Sequence, residues 1–168
     1  MTTKISRTDS YDAAPDAVFA MVTDSQFQLD KYEGVGMTNG KVLEAIELPN
    51  GGFRLKTQRD VTTEGVPDFV KRLVGERTTI TETDEWGPAA ADGSRSGTWK
   101  AEAKTAPLTM WGSFTLAAAG AGSTVTITGE VKASVPLIGG KVEKAVAEAT
   151  VKSLQDENEF GQKWLASR

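Results

Sequence analysis

Two absences limit the chemistry that this sequence can perform. The chain has no histidine and no cysteine, which excludes a Ser-His-Asp triad, a thiolate nucleophile and metal sites built on either residue. Carboxylates, lysines, arginines, Tyr11 and Tyr32 remain. The glycine-rich segments at 34–36 and 139–141 lack the other positions of a dinucleotide- or phosphate-binding loop and are typical of turns. The sequence therefore predicts no catalytic residue, no metal site and no cofactor.

Arg59 is the residue whose position most strongly indicates a site. It lies in the alternating run 53–62, and a guanidinium among mainly apolar neighbours would be costly without a partner acid or an anionic ligand. Two structural explanations stay open beside a ligand anchor. Arg59 could form an internal salt bridge with Glu44 or Glu82, or a β-bulge could turn it outward. The neighbours on its face of the strand are Phe53, Leu55, Thr57 and Val61.

Composition places the chain among ordinary globular proteins. Its 168 residues, 39% hydrophobic and 25% charged, match one domain covering 1–168. The net charge of −4 disfavours nucleic acid and anionic membrane surfaces as partners. No stretch approaches the ~18 apolar residues that a membrane span needs, and the N-terminus has no secretory signal pattern. We expect a cytoplasmic protein without a membrane span.

Local patterns in the first half predict short elements separated by clear breaks. Pro15 suits a helix start, and Pro49-Asn50-Gly51-Gly52 is a strong hairpin signal between two alternating runs. The predicted elements are a strand at 5–11, a short helix from Pro15, a second short helix opened by a capping box at Ser25–Gln28, strands at 41–48 and 53–62, and a helix or ordered loop at 66–74.

The second half predicts a run of strands followed by one long helix. Strand-like segments at 76–86, 94–103, 109–118 and 124–134 are separated by turn residues, which favours an antiparallel meander. From about residue 140 to 165 apolar residues recur at helical spacing, with no glycine or proline before Gly161. We expect a single amphipathic helix there.

This order of elements resembles the START/SRPBCC superfamily of Bet v-type and polyketide cyclase-like proteins, over essentially the whole chain. The segments YDAAPDAVFAMVTD, Glu85-Trp86 and GSFTLAAAGAGSTVTITGEVKASVPLIGGKVEK are also similar to an uncharacterised, mostly actinobacterial family within it. The resemblance implies an α+β helix-grip fold. Its curved antiparallel sheet has about seven strands, with two short helices and a long C-terminal helix.

The resemblance also implies an apolar cavity between sheet and C-terminal helix, taking a lipid, sterol or polyketide-like ligand. Gly97, Ala101, Gly112 and Gly129 could leave a void there or could simply bend the sheet, and the segment 65–75 could act as a lid or a plain connection. Tryptophans could stack on a ligand or form core. The predicted ligand-binding residues are Arg59, Leu55, Phe69, Trp86, Trp99, Met110, Phe114 and Val146.

The resulting functional hypothesis is binding or carriage of a small hydrophobic ligand, without catalysis. One alternative is a cyclase- or hydrolase-type enzyme in which Arg59 stabilises an enolate and Glu82 or Asp84 acts as base. Another is a protein-interaction module, which would need a large exposed apolar patch. The sequence names neither the ligand nor the oligomeric state.

Overall fold

A computed structural model describes all residues, 1–168. It contains seven strands and four helices. In chain order they are β1 (Thr3–Tyr11), α1 (Pro15–Val22), α2 (Ser25–Gly34), β2 (Thr38–Glu47), β3 (Phe53–Thr62), α3 (Asp68–Val74), β4 (Arg77–Trp86), β5 (Arg95–Ala103), β6 (Leu108–Ala119), β7 (Gly122–Ala133) and α4 (Gly139–Ala166). This is the helix-grip arrangement that the sequence predicts.

The strands form one curved antiparallel sheet in the order β1-β7-β6-β5-β4-β3-β2. Each strand from β2 to β7 therefore lies beside its neighbours in sequence, and β1 closes the sheet against β7. α4 packs against β1 and β7, while α2 packs against β2 and also contacts α4. We call the sheet face that carries Leu55, Trp99 and Val131, all buried, the inner face.

Two glycines on the inner face allow large aromatic rings to approach the sheet. A side chain at Gly129 would collide with the ring of Trp99, and one at Gly97 with the ring of Phe114. The Trp99 indole also donates a hydrogen bond to the carbonyl oxygen of Thr128 at 3.1 Å. The expectation that these glycines leave a void is therefore wrong at both positions, because neighbouring aromatic rings occupy the space beside them.

Gly161 lies inside the long helix α4, at a point where other side chains pack closely against the helix. A Cβ at this position would lie 3.2 Å from atoms of both Tyr11 and Met21, so the missing side chain lets helix and sheet approach closely. At the start of α2 the predicted capping box is shifted by one residue. Asp24, and not Ser25, caps the helix by accepting a hydrogen bond from the amide of Phe27 at 2.7 Å.

The hydrophobic core is most densely aromatic near α1. Trp86 packs against Phe114 with ring centroids 4.0 Å apart and against Phe19 at 5.7 Å. The guanidinium of Arg95 also lies over Phe19, 3.6 Å from the ring centroid.

No helix combines the length and the apolar character required to cross a membrane.

Candidate ligand-binding site

Arg59 lies on the inner face with only 8% of its surface exposed. Its Nη2 contacts Oε2 of Glu82 at 2.8 Å, and its guanidinium carbon lies 5.1 Å from the centre of the Tyr32 ring. Of the two predicted partner acids, Glu82 is confirmed. Glu44 instead contacts Arg54, at 3.3 Å. The pairing of β3 with β4 has no register shift, so no bulge there turns Arg59 outward.

Glu82 shares its face of β4 with Asp84. The strand register places Glu82 opposite Thr57 and Asp84 opposite Leu55, so the two carboxyl groups point to the same face of the sheet, one after the other along β4. Burial raises the pKa of Asp84 well above its ordinary value, and the charge of Glu82 raises it further. Burial opposes ionisation of Glu82 too, but Arg59 and Lys31 outweigh it and lower the pKa of Glu82. Of the two acids, Asp84 is therefore the one whose protonated form is favoured.

The helix α2 contributes a second cation and a phenol to the same region. Lys31 contacts Glu157 of α4 at 3.1 Å, and the Tyr32 hydroxyl donates to the Thr57 hydroxyl at 2.8 Å. Burial opposes the charge on Lys31, but Glu157, Tyr32 and Glu82 together outweigh it and raise the Lys31 pKa. Burial raises the pKa of Tyr32, which remains a neutral donor at neutral pH.

These seven residues form what we call the interior polar cluster, which joins β3, β4, α2 and α4. Two cations face two carboxylates, and the pKa of Asp84 beside them is raised. Several of its polar atoms lack a partner within the protein, namely Nε and Nη1 of Arg59 and Oδ1 of Asp84. Arginine hydrogens are donors only and a carboxyl oxygen accepts, so the cluster offers both kinds of hydrogen bond. The members are Lys31, Tyr32, Thr57, Arg59, Glu82, Asp84 and Glu157.

The eight predicted ligand-binding residues divide into two groups. Trp86 and Phe114 belong to the aromatic packing near α1, and Leu55, Trp99 and Arg59 are also buried. Phe69, Met110 and Val146 are half-buried. Met110 faces α4, where its sulfur accepts a hydrogen bond from the Thr150 hydroxyl at 3.5 Å.

Among the other tryptophans, Trp111 points to the opposite face of the sheet and is exposed. Trp164 packs against Phe27, with ring centroids 5.2 Å apart, between α4 and α2.

One surface cleft, of about 570 Å³, lies at the turn between β5 and β6. None of the eight predicted residues lines it, and its one residue from β3, Gln58, alternates with Arg59 and so lies on the other face of the sheet. A second cleft of about 260 Å³ lies beside the segment leading into α4 and includes no residue of the interior polar cluster. Neither cleft is therefore the candidate site.

Sequence reasoning missed the helical half of the polar cluster. Lys31 and Tyr32 follow Phe27 and Gln28 by four residues, and this spacing puts all four on one face of α2. That face is buried or half-buried. The same spacing rule could have located Glu157 on the inner side of α4, where polar residues interrupt an otherwise apolar stripe.

Comparisons with known proteins agree with this architecture. The family model described as "Protein of unknown function (DUF2505)" matches residues 6–165, and the chain belongs to that family. No curated protein matches the chain.

Solved structures share the fold at low sequence identity. TTHA0849 from Thermus thermophilus is 14% identical, with a TM-score of 0.69 and 98% of each chain covered. The Zhui aromatase/cyclase from Streptomyces sp. R1128 is 12% identical, with a TM-score of 0.67, covering 97% of this chain and 93% of that one. A START superfamily protein from Mycobacterium smegmatis is 15% identical, with a TM-score of 0.58 and coverages of 96% and 98%. These similarities establish the START/SRPBCC helix-grip fold.

Proposed function

We propose that this chain binds a small, mostly apolar ligand between the inner face of the sheet and α4, with the ligand's polar group at Arg59. The observation that carries the proposal is the state of Arg59. Its side chain is buried, yet Nε and Nη1 have no partner within the protein. Buried donors are almost always satisfied, so a ligand group that accepts from them would relieve a cost that the protein otherwise bears.

The surroundings of Arg59 support this location. Glu82 keeps 24% of its side chain accessible although it belongs to the interior polar cluster. Met110 on β6 and Val146 on α4 are only half-buried. These partly accessible side chains on the sheet and on α4 would line the proposed site. The fold is shared with START-type and cyclase proteins, whose superfamily takes apolar ligands.

The proposal is tested by binding measurements on a panel of lipids, sterols and aromatic polyketide-like molecules. Native mass spectrometry and tryptophan fluorescence would detect complexes with the wild-type chain and with Arg59→Lys, which keeps the charge but loses the guanidinium fork. Lys56→Met is the matched control, because Lys56 alternates with Arg59 and lies on the outer face of β3. We expect at least about tenfold weaker binding for Arg59→Lys and no change for Lys56→Met. Absence of any binding, or equal effects of both variants, would refute the proposal.

A second candidate, an enzyme, is favoured by one observation. Asp84, whose pKa is raised, lies beside Glu82, whose pKa is lowered, and near Arg59, and a pair of carboxyl groups with pKa values pushed apart is a common acid–base arrangement. Such a site could transfer the Asp84 proton to the carbonyl oxygen of a ketone while the Glu82 carboxylate removes the α-proton, with Arg59 stabilising the negative charge that develops on the oxygen. Proton exchange of 2-tetralone in D₂O, followed by NMR, tests this. An enzyme should accelerate exchange, and Asp84→Asn should abolish the acceleration; exchange at the buffer rate with wild type would exclude this activity.

The remaining expectations from the sequence stay predictions. They are a single domain over 1–168, a cytoplasmic location and the absence of a nucleic-acid partner. The protein-interaction alternative is not favoured, because the exposed large apolar side chains do not form one patch. Leu43 and Ile46 lie on β2, Trp111 lies on β6, and Leu137 lies before α4.

A further inference from the structure

We infer that the interior polar cluster selects a neutral polar group that both accepts and donates hydrogen bonds, such as a primary amide or an enol, and that it rejects carboxylates. This inference rests on the proposed function and specifies the chemistry of the ligand's polar end. It does not follow from the presence of a buried arginine, since an unpaired arginine would favour an anion.

The charges around Arg59 are already balanced within the protein. Its guanidinium already contacts the carboxylate of Glu82 at 2.8 Å, and Lys31 contacts Glu157 at 3.1 Å. Each cation therefore has its own anion. A ligand carboxylate would add an uncompensated negative charge beside Glu82, and an unpaired charge inside a protein is strongly unfavourable.

The carboxyl groups of Glu82 and Asp84 are neighbours. The two residues alternate on β4 and point to the same face of the sheet. Burial and the adjacent charge of Glu82 raise the pKa of Asp84. Its buried Oδ1 has no partner within the protein and is available as an acceptor.

The free hydrogen-bonding atoms of the cluster include both donors and an acceptor. Arg59 presents Nε–H and Nη1–H as donors, and Asp84 presents Oδ1 as an acceptor. Arg59 contacts Glu82, and Asp84 follows Glu82 on the same face of β4, so donors and acceptor lie on the two sides of one carboxylate. A ligand group with one acceptor and one donor satisfies both, a ketone satisfies only Arg59, and a carboxylate meets Oδ1 of Asp84 with repulsion. A site built from such groups discriminates strongly against a ligand that leaves them unpaired.

The other titratable groups around the cluster do not change this balance. On α2 the Tyr32 phenol stays neutral, since its pKa is raised by burial and its hydroxyl is bound to Thr57. The Tyr11 phenol on β1 is also neutral, because burial raises its pKa. On α4, Asn158 is uncharged and Glu157 is already paired with Lys31. No surplus cation is thus available to a carboxylate ligand.

Three probes of nearly equal shape test the inference, namely 2-naphthamide, 2-acetonaphthone and 2-naphthoate. Dissociation constants at pH 7 would be measured by calorimetry or tryptophan fluorescence with the wild-type chain, with Arg59→Lys to locate binding at this site, and with two variants of the carboxyl pair. We expect 2-naphthamide to bind at least about tenfold more tightly than 2-naphthoate, with 2-acetonaphthone between them.

The variants predict opposite results. Asp84→Asn should keep the order, because an amide Nδ2 can donate to Glu82 while Oδ1 remains an acceptor. The double variant Glu82→Gln/Asp84→Asn leaves Arg59 without a carboxylate and should reverse the order in favour of 2-naphthoate. Circular dichroism confirms that each variant is folded, and Asp84→Asn alone still tests the order if the double variant does not fold.

The outcomes are distinguishable from those of the proposed function. An amide preference that reverses in the double variant supports both proposals. Tighter binding of 2-naphthoate to the wild-type chain, weakened by Arg59→Lys, overturns this inference but leaves ligand binding at Arg59 intact. If none of the three probes binds in an Arg59-dependent way, the proposed function and this inference both fail for this ligand class.

Discussion

Replacing Asp84 by asparagine should make the protein more stable, by an amount that grows with pH. In the folded chain, burial and the neighbouring Glu82 carboxylate raise the pKa of Asp84 well above its ordinary value. In the unfolded chain the group ionises near pH 3.9. Asparagine has nearly the same shape and can donate a hydrogen bond to Glu82 from Nδ2, but it takes up no proton.

The size of the effect follows from proton linkage. Between the unfolded and folded pKa values of Asp84 the native state binds one proton more than the unfolded state. The stability that this proton gives is therefore complete below about pH 4 and is lost as the pH rises through the folded pKa. The loss amounts to about 1.4 kcal/mol for each pH unit in that window. Glu82, whose pKa is lowered, contributes with the opposite sign: its stabilising contribution is lost as the pH falls below the ordinary pKa of a glutamate. Glu82 is present in both proteins.

Urea unfolding followed by tryptophan fluorescence, at half-unit steps from pH 5 to 7, would measure the difference between Asp84→Asn and wild type. The difference should rise by about 1.4 kcal/mol per pH unit and level off at the folded pKa of Asp84. Asp60→Asn is the control, because Asp60 has a lowered pKa and bonds to Thr79 and Asn39, so its difference should stay flat in this range. A flat difference for Asp84→Asn as well would show that Asp84 is ionised and that no proton is shared.

Further substitutions test other contacts. Arg59→Met should reduce the free energy of unfolding, measured by urea titration, by about 2–3 kcal/mol. This is less than for a fully buried ion pair, because Glu82 is partly accessible. Adding Glu82→Gln should recover part of the loss, whereas strictly additive losses would mean that the two charges are uncoupled. Tyr32→Phe should cost about 1–2 kcal/mol in the same assay, because the buried hydroxyl of Thr57 loses its hydrogen-bond donor. A neutral result would contradict the 2.8 Å hydrogen bond between the two residues. Gly129→Ala should cost about 3 kcal/mol, because the new methyl group would collide with an indole ring and a backbone carbonyl. Gly140→Ala has open space around it and should stabilise α4 by up to about 1 kcal/mol. Similar melting temperatures for the two variants would show that the sheet yields at Gly129.

Elements with a strong periodic pattern could be predicted from the sequence, and their contacts could not. Alternation in β3 placed Arg59 on the inner face, and it narrowed the partner to two acids. The choice of Glu82 over Glu44 depends on strand pairing, because β4 lies beside β3 in register while β2 carries Glu44 to Arg54. The contribution of Lys31 was missed because a lysine on a short helix is usually solvated, and only the packing of α2 against α4 brings it to Glu157.

No void lies beside Gly97 and Gly129, for a physical reason that also concerns the ligand. Glycine removes a side chain from the sheet, but in an interior close-packed to crystal density another group fills the space. Here Trp99 and Phe114 do so. Because those rings occupy their part of the inner face, the proposed ligand would lie beside the half-buried Met110 and the interior polar cluster. A ligand bound there would contact apolar side chains on one side and Arg59 and Asp84 on the other, and a wholly apolar molecule would leave the free atoms of both residues unpaired. The structure thus favours an amphipathic ligand over a hydrocarbon-like one, and 2-naphthamide should bind more tightly than naphthalene itself in the same titration.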